Sequence, residues 1–164
     1  VVLGALDLRA IDLSGADLAG ARFEDCVLEG CNLSGATLVS VVFTRCDLRK
    51  ARLNDVKATG ATFLGCDLRQ AVASRADLSG ATLDRVLSAT DDGAPTRLEG
   101  VDLTDADLSL STCTDASFEG ASLQRAALVD AVWTGCDVRA ANLTTVAARG
   151  FTARGTRFDG ARLG

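Results

Sequence analysis

The sequence predicts an all-β chain wound into a quadrilateral solenoid of about seven to eight coils, interrupted by one extruded loop. Three periodicities carry that prediction. The first is a period of five: of the 33 positions spaced five apart from Leu3 to Leu163, Leu or Phe holds 24. Trp133, Val138, Ala58, Ala73, Ala148 and Ala153 fill six more, and only Ser88, Gly93 and Cys113 break the series. The second is a small residue two places earlier, where Ala, Val or Cys occupies 26 of the 33 sites. The third is a period of twenty, seen in Ala21-Arg22-Phe23-Glu24-Asp25-Cys26, Val41-Val42-Phe43-Thr44-Arg45-Cys46 and Ala61-Thr62-Phe63-Leu64-Gly65-Cys66.

A five-residue spacing suits neither a helix, which needs apolar residues three and four apart, nor a plain alternating strand. It suits a short strand followed by a corner. Two apolar side chains two residues apart point to one face of an extended segment. The next two residues turn the chain, and Gly, Ser, Asp and Asn recur there as turn formers. Four units close a square coil of twenty residues. Stacking such coils places Phe23, Phe43 and Phe63 in one interior ladder continued by Leu83, and Cys26, Cys46 and Cys66 in a second. After the interruption Phe118, Val138 and Phe158 repeat the same spacing. With each coil adding roughly 4.8 Å, the rod is on the order of 35 Å long.

Units such as Ala16-Asp17-Leu18-Ala19-Gly20, Ala36-Thr37-Leu38-Val39-Ser40, Ala76-Asp77-Leu78-Ser79-Gly80 and Ala121-Ser122-Leu123-Gln124-Arg125 resemble the A(D/N)LXX consensus of the pentapeptide-repeat family. The resemblance covers nearly the whole chain in one phase. It implies a right-handed quadrilateral β-helix.

Residues 1–164 read as a single solenoid, with a loop at about 87–95 where Leu-Ser-Ala-Thr-Asp-Asp-Gly-Ala-Pro carries the only Pro and no apolar phase. The loop length is five to ten residues, close to a multiple of the repeat. Five of the six cysteines occupy the small inward slot and Cys113 occupies the Leu slot, so all six are expected to be buried free thiols. With no His and no CxxC pair, no metal is expected. No apolar run approaches the roughly 20 residues that cross a bilayer. The chain starts at Val1 and contains no Met, which reads as a fragment or processed form. Reduced cysteines suggest the cytoplasm.

Catalysis is not expected: there is no His and no Tyr, and no Ser or Cys has an adjacent base. Asp7, Asp12, Asp17, Asp47, Asp67, Asp77, Asp102, Asp107 and Asp137 precede the inward Leu or Val and read as repeat consensus. No cofactor motif is present. Net charge is −5, unevenly spread. Glu99, Asp102, Asp105, Asp107, Asp115 and Glu119 lie in a stretch free of Lys and Arg between Arg97 and Arg125; with Asp91 and Asp92 of the loop they form an acidic mid-rod belt, the candidate partner-binding residues. Arg49, Lys50 and Arg69 are expected on one face.

Two functions follow. The resemblance implies a non-catalytic rod of the Qnr and MfpA quinolone-resistance type, which mimic duplex DNA and bind type II topoisomerase, so DNA gyrase or topoisomerase IV would be the partner. A duplex 35 Å long bears roughly twenty charges, so mimicry here would rest on shape plus the belt. The alternative is a structural spacer or interaction module of a larger assembly. Neither reading involves direct nucleic-acid or membrane binding. The apolar, uncapped solenoid ends suggest a homodimer or end-to-end association.

Overall fold

The computed structural model describes residues 2–84, 87–88 and 94–164, which contain strands and no helix. The hydrogen bonds of one pentad explain the period of five. Val27 N–H donates back to Leu6 C=O one coil earlier at 2.9 Å, and Leu28 and Gly30 N–H donate forward to Asp47 and Arg49 C=O at 2.7 and 2.8 Å. Cys31 N–H then closes the corner on Leu28 C=O at 3.0 Å, with Gly30 at φ +67°. That is a β-turn with positive φ at its third position. One N–H per pentad, that of the residue after Leu, finds no backbone partner in this scheme. Asp or Asn before the Leu accepts it: Asp12 from Ser14 at 3.0 Å, Asn32 from Ser34 at 3.2 Å, Asp102 from Thr104 at 2.9 Å. The Asp/Asn consensus thus follows from satisfying a backbone donor.

A second kind of pentad needs no such cap. On the first face, β1 (Val2–Gly4), β2 (Arg22–Glu24), β3 (Val42–Thr44), β4 (Thr62–Leu64) and β5 (Thr82–Asp84) form a parallel sheet in strict register, Phe23 on Phe43 on Phe63 on Leu83. Here the residue after the inward one is itself paired in the sheet, as Glu24 is with Thr44. Accordingly Arg22, Val42, Thr62 and Thr82, not Asp or Asn, precede the inward residue.

The second face starts with the Asp7, Val27, Asp47 and Asp67 column and continues as β6 (Leu87–Ser88), β7 (Thr112–Thr114) and β8 (Val132–Thr134), with β10 (Thr152–Arg154) beyond. The third face runs Asp12, Asn32, Arg52, Val72, Arg97, Ser117, Asp137, Arg157. The fourth runs Asp17, Thr37, Lys57, Asp77, Asp102, Ser122 to β9 (Asn142–Leu143) and β11 (Arg162–Leu163). The third and fourth columns count about eight coils, or roughly 38 Å at the usual strand spacing.

Partners are twenty residues apart up to Lys57↔Asp77 and again from Arg97↔Ser117, but 25 apart at Val72↔Arg97, Asp77↔Asp102, Thr82↔Asp107 and Leu87↔Thr112. The interruption therefore adds five residues between Ser88 and Arg97. Leu87 and Ser88 pair with Thr112 and Cys113, which corrects the expected loop start at 87: backbone pairing holds the chain in the solenoid through Ser88. Residues 89–93 lie outside the described residues.

The interior is one continuous core from Ala21 to Leu143. Phe23 stacks on Phe43 at 4.9 Å and Phe43 on Phe63 at 5.2 Å between ring centroids. In the upper rod Phe118 stacks on Trp133 at 4.5 Å, and Phe151 meets Trp133 edge-on. All six cysteines are buried free thiols. Four also donate weakly to a carbonyl one coil earlier: Cys26 to Leu3, Cys46 to Phe23, Cys66 to Phe43 and Cys136 to Cys113, at 3.4 to 3.5 Å.

Candidate functional site

The described belt residues do not share one face. Glu99 and Glu119 stand on the third face, Asp102 on the fourth with Asp105 at its corner, Asp107 on the first and Asp115 at the corner after the second. They form a girdle around the rod, and Asp91 and Asp92 lie outside the described residues.

Local pairing then decides which carboxylates face a partner uncompensated. Arg125 clamps Asp105 through two bonds of 2.7 Å, and those bonds hold the Asp105 carboxyl below its usual range. Glu119 accepts from Arg139 at 3.0 Å. Glu99 accepts from Ser74 at 2.8 Å and from Arg97 at 3.2 Å. Partial burial raises the Glu99 pKa and these bonds more than offset it, so it ends below its ordinary value. Asp115 lies over Gly135 of the next coil.

Asp102 and Asp107 differ. Among the described residues each accepts only the N–H two residues on, from Thr104 and Ser109 at 2.9 Å, and neither has a cation within ion-pair distance. The five-residue insertion stacks Asp102 directly on Asp77. Asp77 accepts from Ser79 and Thr59 and likewise makes no ion pair with the described residues. Partial burial raises its pKa, and those bonds bring it below the ordinary value, so it is ionised at neutral pH. The fourth face therefore presents two carboxylates on adjacent coils flanked by the Thr59, Ser79 and Thr104 side chains. Sequence reasoning treated Asp77 as consensus and missed this pair. A constant period of twenty would have set Asp77 beneath Arg97; the length of the insertion was the signal.

Arg49, Lys50 and Arg69 do share the second face, within a network with Glu29, Asp47 and Asp67. Among the described residues no cluster of three or more acidic or Cys side chains has metal-binding geometry. No described helix is long and apolar enough to cross a membrane. Burial pushes the Cys31 thiol up to about 12 and Cys136 to about 11, so neither is a thiolate at neutral pH.

The profile of the family described as pentapeptide repeats matches eight copies, over residues 7–45, 51–87 and 96–132. The chain belongs to the pentapeptide-repeat family. This pentapeptide-repeat protein matches no curated relative by sequence. Among solved structures it is similar to full-length QnrB1, a plasmid-mediated fluoroquinolone resistance protein, with a TM-score of 0.51 and 16% identity over 100% of this chain and 94% of that one. It is also similar to HetL, involved in heterocyst differentiation regulation in the cyanobacterium Nostoc sp. strain PCC 7120, with a TM-score of 0.45 and 26% identity over 99% and 84%. At such identity the likeness to QnrB1 shows the fold.

Proposed function

We propose that this pentapeptide-repeat protein is a non-catalytic, cytoplasmic binding rod that offers the Asp77–Asp102 stretch of its fourth face to a basic protein surface. The most specific reading is the DNA-binding surface of a type II topoisomerase, DNA gyrase or topoisomerase IV, which the rod would occupy as a duplex does and so modulate topoisomerase poisons. The observation that carries it is the pair of carboxylates on adjacent coils, on strands roughly 4.8 Å apart, neither in an ion pair with a described residue, with Lys57 one coil beneath Asp77. A DNA-binding surface is arranged to meet closely spaced negative charge. The resemblance to quinolone-resistance proteins supports the choice of partner.

The test is gyrase supercoiling in the presence of the purified protein, with and without a fluoroquinolone. Inhibition or protection is expected. Asp77→Lys with Asp102→Lys should abolish it, while Glu99→Lys and Glu119→Lys, whose carboxylates are already engaged by Arg97 and Arg139, should leave most of it. The alternative is a structural spacer or interaction module, and the ion pairing of Glu99, Asp105 and Glu119 favours it. On that reading neither pair of substitutions changes supercoiling, and no effect appears even at large molar excess.

A further inference from the structure

A cavity of about 40 Å³ lies inside the rod between the coils of Leu83 and Leu108. Phe63, Leu83, Leu108, Ser111, Cys113 and Phe118 line it, and all six are buried. On the second face Leu8, Leu28, Leu48 and Leu68 hold the inward position of the lower coils, and Trp133 holds it one coil above Cys113. The smaller Cys113 side chain leaves space. Phe63 is stacked on Phe43 and Phe118 on Trp133, which fixes two walls. Leu83 N–H donates to Asp107 C=O at 2.7 Å and Leu108 N–H to Ala127 C=O at 2.8 Å, which fixes the spacing of the coils. A void with such walls does not collapse.

Chemistry decides what can fill it. A buried water makes about three hydrogen bonds. Of the two lining hydroxyls, Thr96 already accepts from Gln70 N–H and donates to Leu68 C=O, each at 3.1 Å. Ser111 Oγ approaches the Cys113 thiol without the geometry of a hydrogen bond and has no other partner among the described residues. Burial keeps Cys113 protonated, so it adds a weak donor and no charge. One free hydroxyl and one thiol hold a water poorly, and the remaining lining side chains are apolar. A void of about 150 Å³ lined in this way stays dry and admits benzene, so one of about 40 Å³ admits a molecule of about two heavy atoms. We propose that this cavity is a binding site for a dissolved diatomic gas, with dioxygen as the ligand to test. Dispersion contacts with the rings and leucine methyls supply the attraction. With so few ligand atoms the dissociation constant is of millimolar order or weaker. The site lies in the core and stands or falls independently of topoisomerase binding.

Dioxygen is paramagnetic, and the relaxation of methyl protons reads its location. The purified chain is compared under pressurised dioxygen and under dinitrogen at the same pressure, which controls for pressure alone. At a dissolved concentration near the dissociation constant the cavity is about half filled, and the Leu83 and Leu108 methyls should relax at least about twofold faster than those of Leu28 and Leu33. The latter pair is at least as deeply buried and does not line the cavity. Cys113→Leu should remove the excess by filling the space. Ser111→Val should reduce it from the small inward slot, which Val already fills at Val41, Val56 and Val101. Circular dichroism checks that each variant keeps its strand signal. Equal relaxation at all four leucines, or an excess undiminished in either folded variant, overturns the proposal.

Discussion

An aspartate at a corner imposes a condition on the residue stacked above it. Among the described residues five aspartates hold positive φ at corners: Asp25, Asp55, Asp105, Asp115 and Asp130. One coil later the first three meet Arg45, Arg75 and Arg125, each of which clamps the carboxylate through two nitrogens at 2.7 to 2.9 Å. The other two meet Gly135 and Gly150, where an added Cβ would clash with the aspartate Oδ1, at 2.1 and 2.0 Å. The carboxylate leans over the next corner, so that corner must either reach out and bind it or leave it room. Gly135→Ala should therefore cost more than the left-handed backbone alone requires. At Gly80, also at positive φ with nothing near the added Cβ, an Ala should cost about 1 kcal/mol. At Gly135 it should cost about 2 kcal/mol, the excess arising from displacement of the Asp115 side chain. In an Asp115→Ala background the excess should vanish in a urea-unfolding double-mutant cycle. Equal costs at Gly80 and Gly135 would refute the rule.

Pairs of charges organise the pentads as elements. Asp7, Asp47, Asp67 and Asp137 each bind the Arg two residues on, across the inward residue, as well as that Arg's N–H. Bonds from Arg45, Arg49, Arg125 and Arg139 respectively hold the Asp25, Asp47, Asp105 and Asp137 carboxyls below their usual range, and Asp7 falls to about 2 through Arg9. A carboxylate whose folded pKa is depressed contributes stability above its unfolded pKa, and that contribution is lost as pH falls through the folded value. The ordinary Asp value is 3.8, and the chain has no His to titrate near neutrality. The urea midpoint should therefore stay level from about pH 8 to about pH 5 and decline below about pH 4. The decline should be modest because most of these pairs are solvated. A shift in midpoint between about pH 6 and pH 7 would contradict this account. The same elements show what a reader of the sequence can and cannot see. The inward Leu and Phe ladders are legible because burial selects them by size, so Phe23, Phe43 and Phe63 fell into register by counting twenty. The girdle was legible as composition but not as geometry. Whether Glu119 or Asp102 is neutralised depends on which residue stands one coil away: Arg139, twenty residues on, engages Glu119, whereas the exact length of the insertion sets Asp77 beneath Asp102. The two kinds of pentad were also visible, in Arg22, Val42 and Thr62 standing where Asp is usual; the missing link was the backbone N–H that Asp serves.

At the scale of the whole rod, the interruption does more than add five residues. Below it the three-residue strands β1 to β5 run up the first face, while the second face carries capped pentads such as Asp47-Leu48-Arg49. Above it the roles exchange: Asp107 caps Ser109 on the first face, and β7, β8 and β10 occupy the second. Like pentads stack well on like, so the level where the two kinds change faces is poorly matched. A cavity of about 40 Å³ lies there, lined among others by Phe63, Leu83, Leu108, Ser111, Cys113 and Phe118. Ser111 Oγ is buried with no hydrogen-bond partner among the described residues, and Cys113 stands in the slot that Leu fills elsewhere. At about 24 cal/mol per Å³, such a void costs about 1 kcal/mol. Cys113→Leu places methyl groups toward it and should raise the melting temperature by about 2 to 4 °C. Ala58→Leu makes the complementary test, since Ala58 also occupies a Leu slot and is fully buried but does not line the cavity. Overpacking there should destabilise by about 1 to 3 kcal/mol. Opposite signs in calorimetry would locate the packing defect at the change of faces. If both substitutions stabilised or both destabilised the rod, the void would not be a consequence of that exchange.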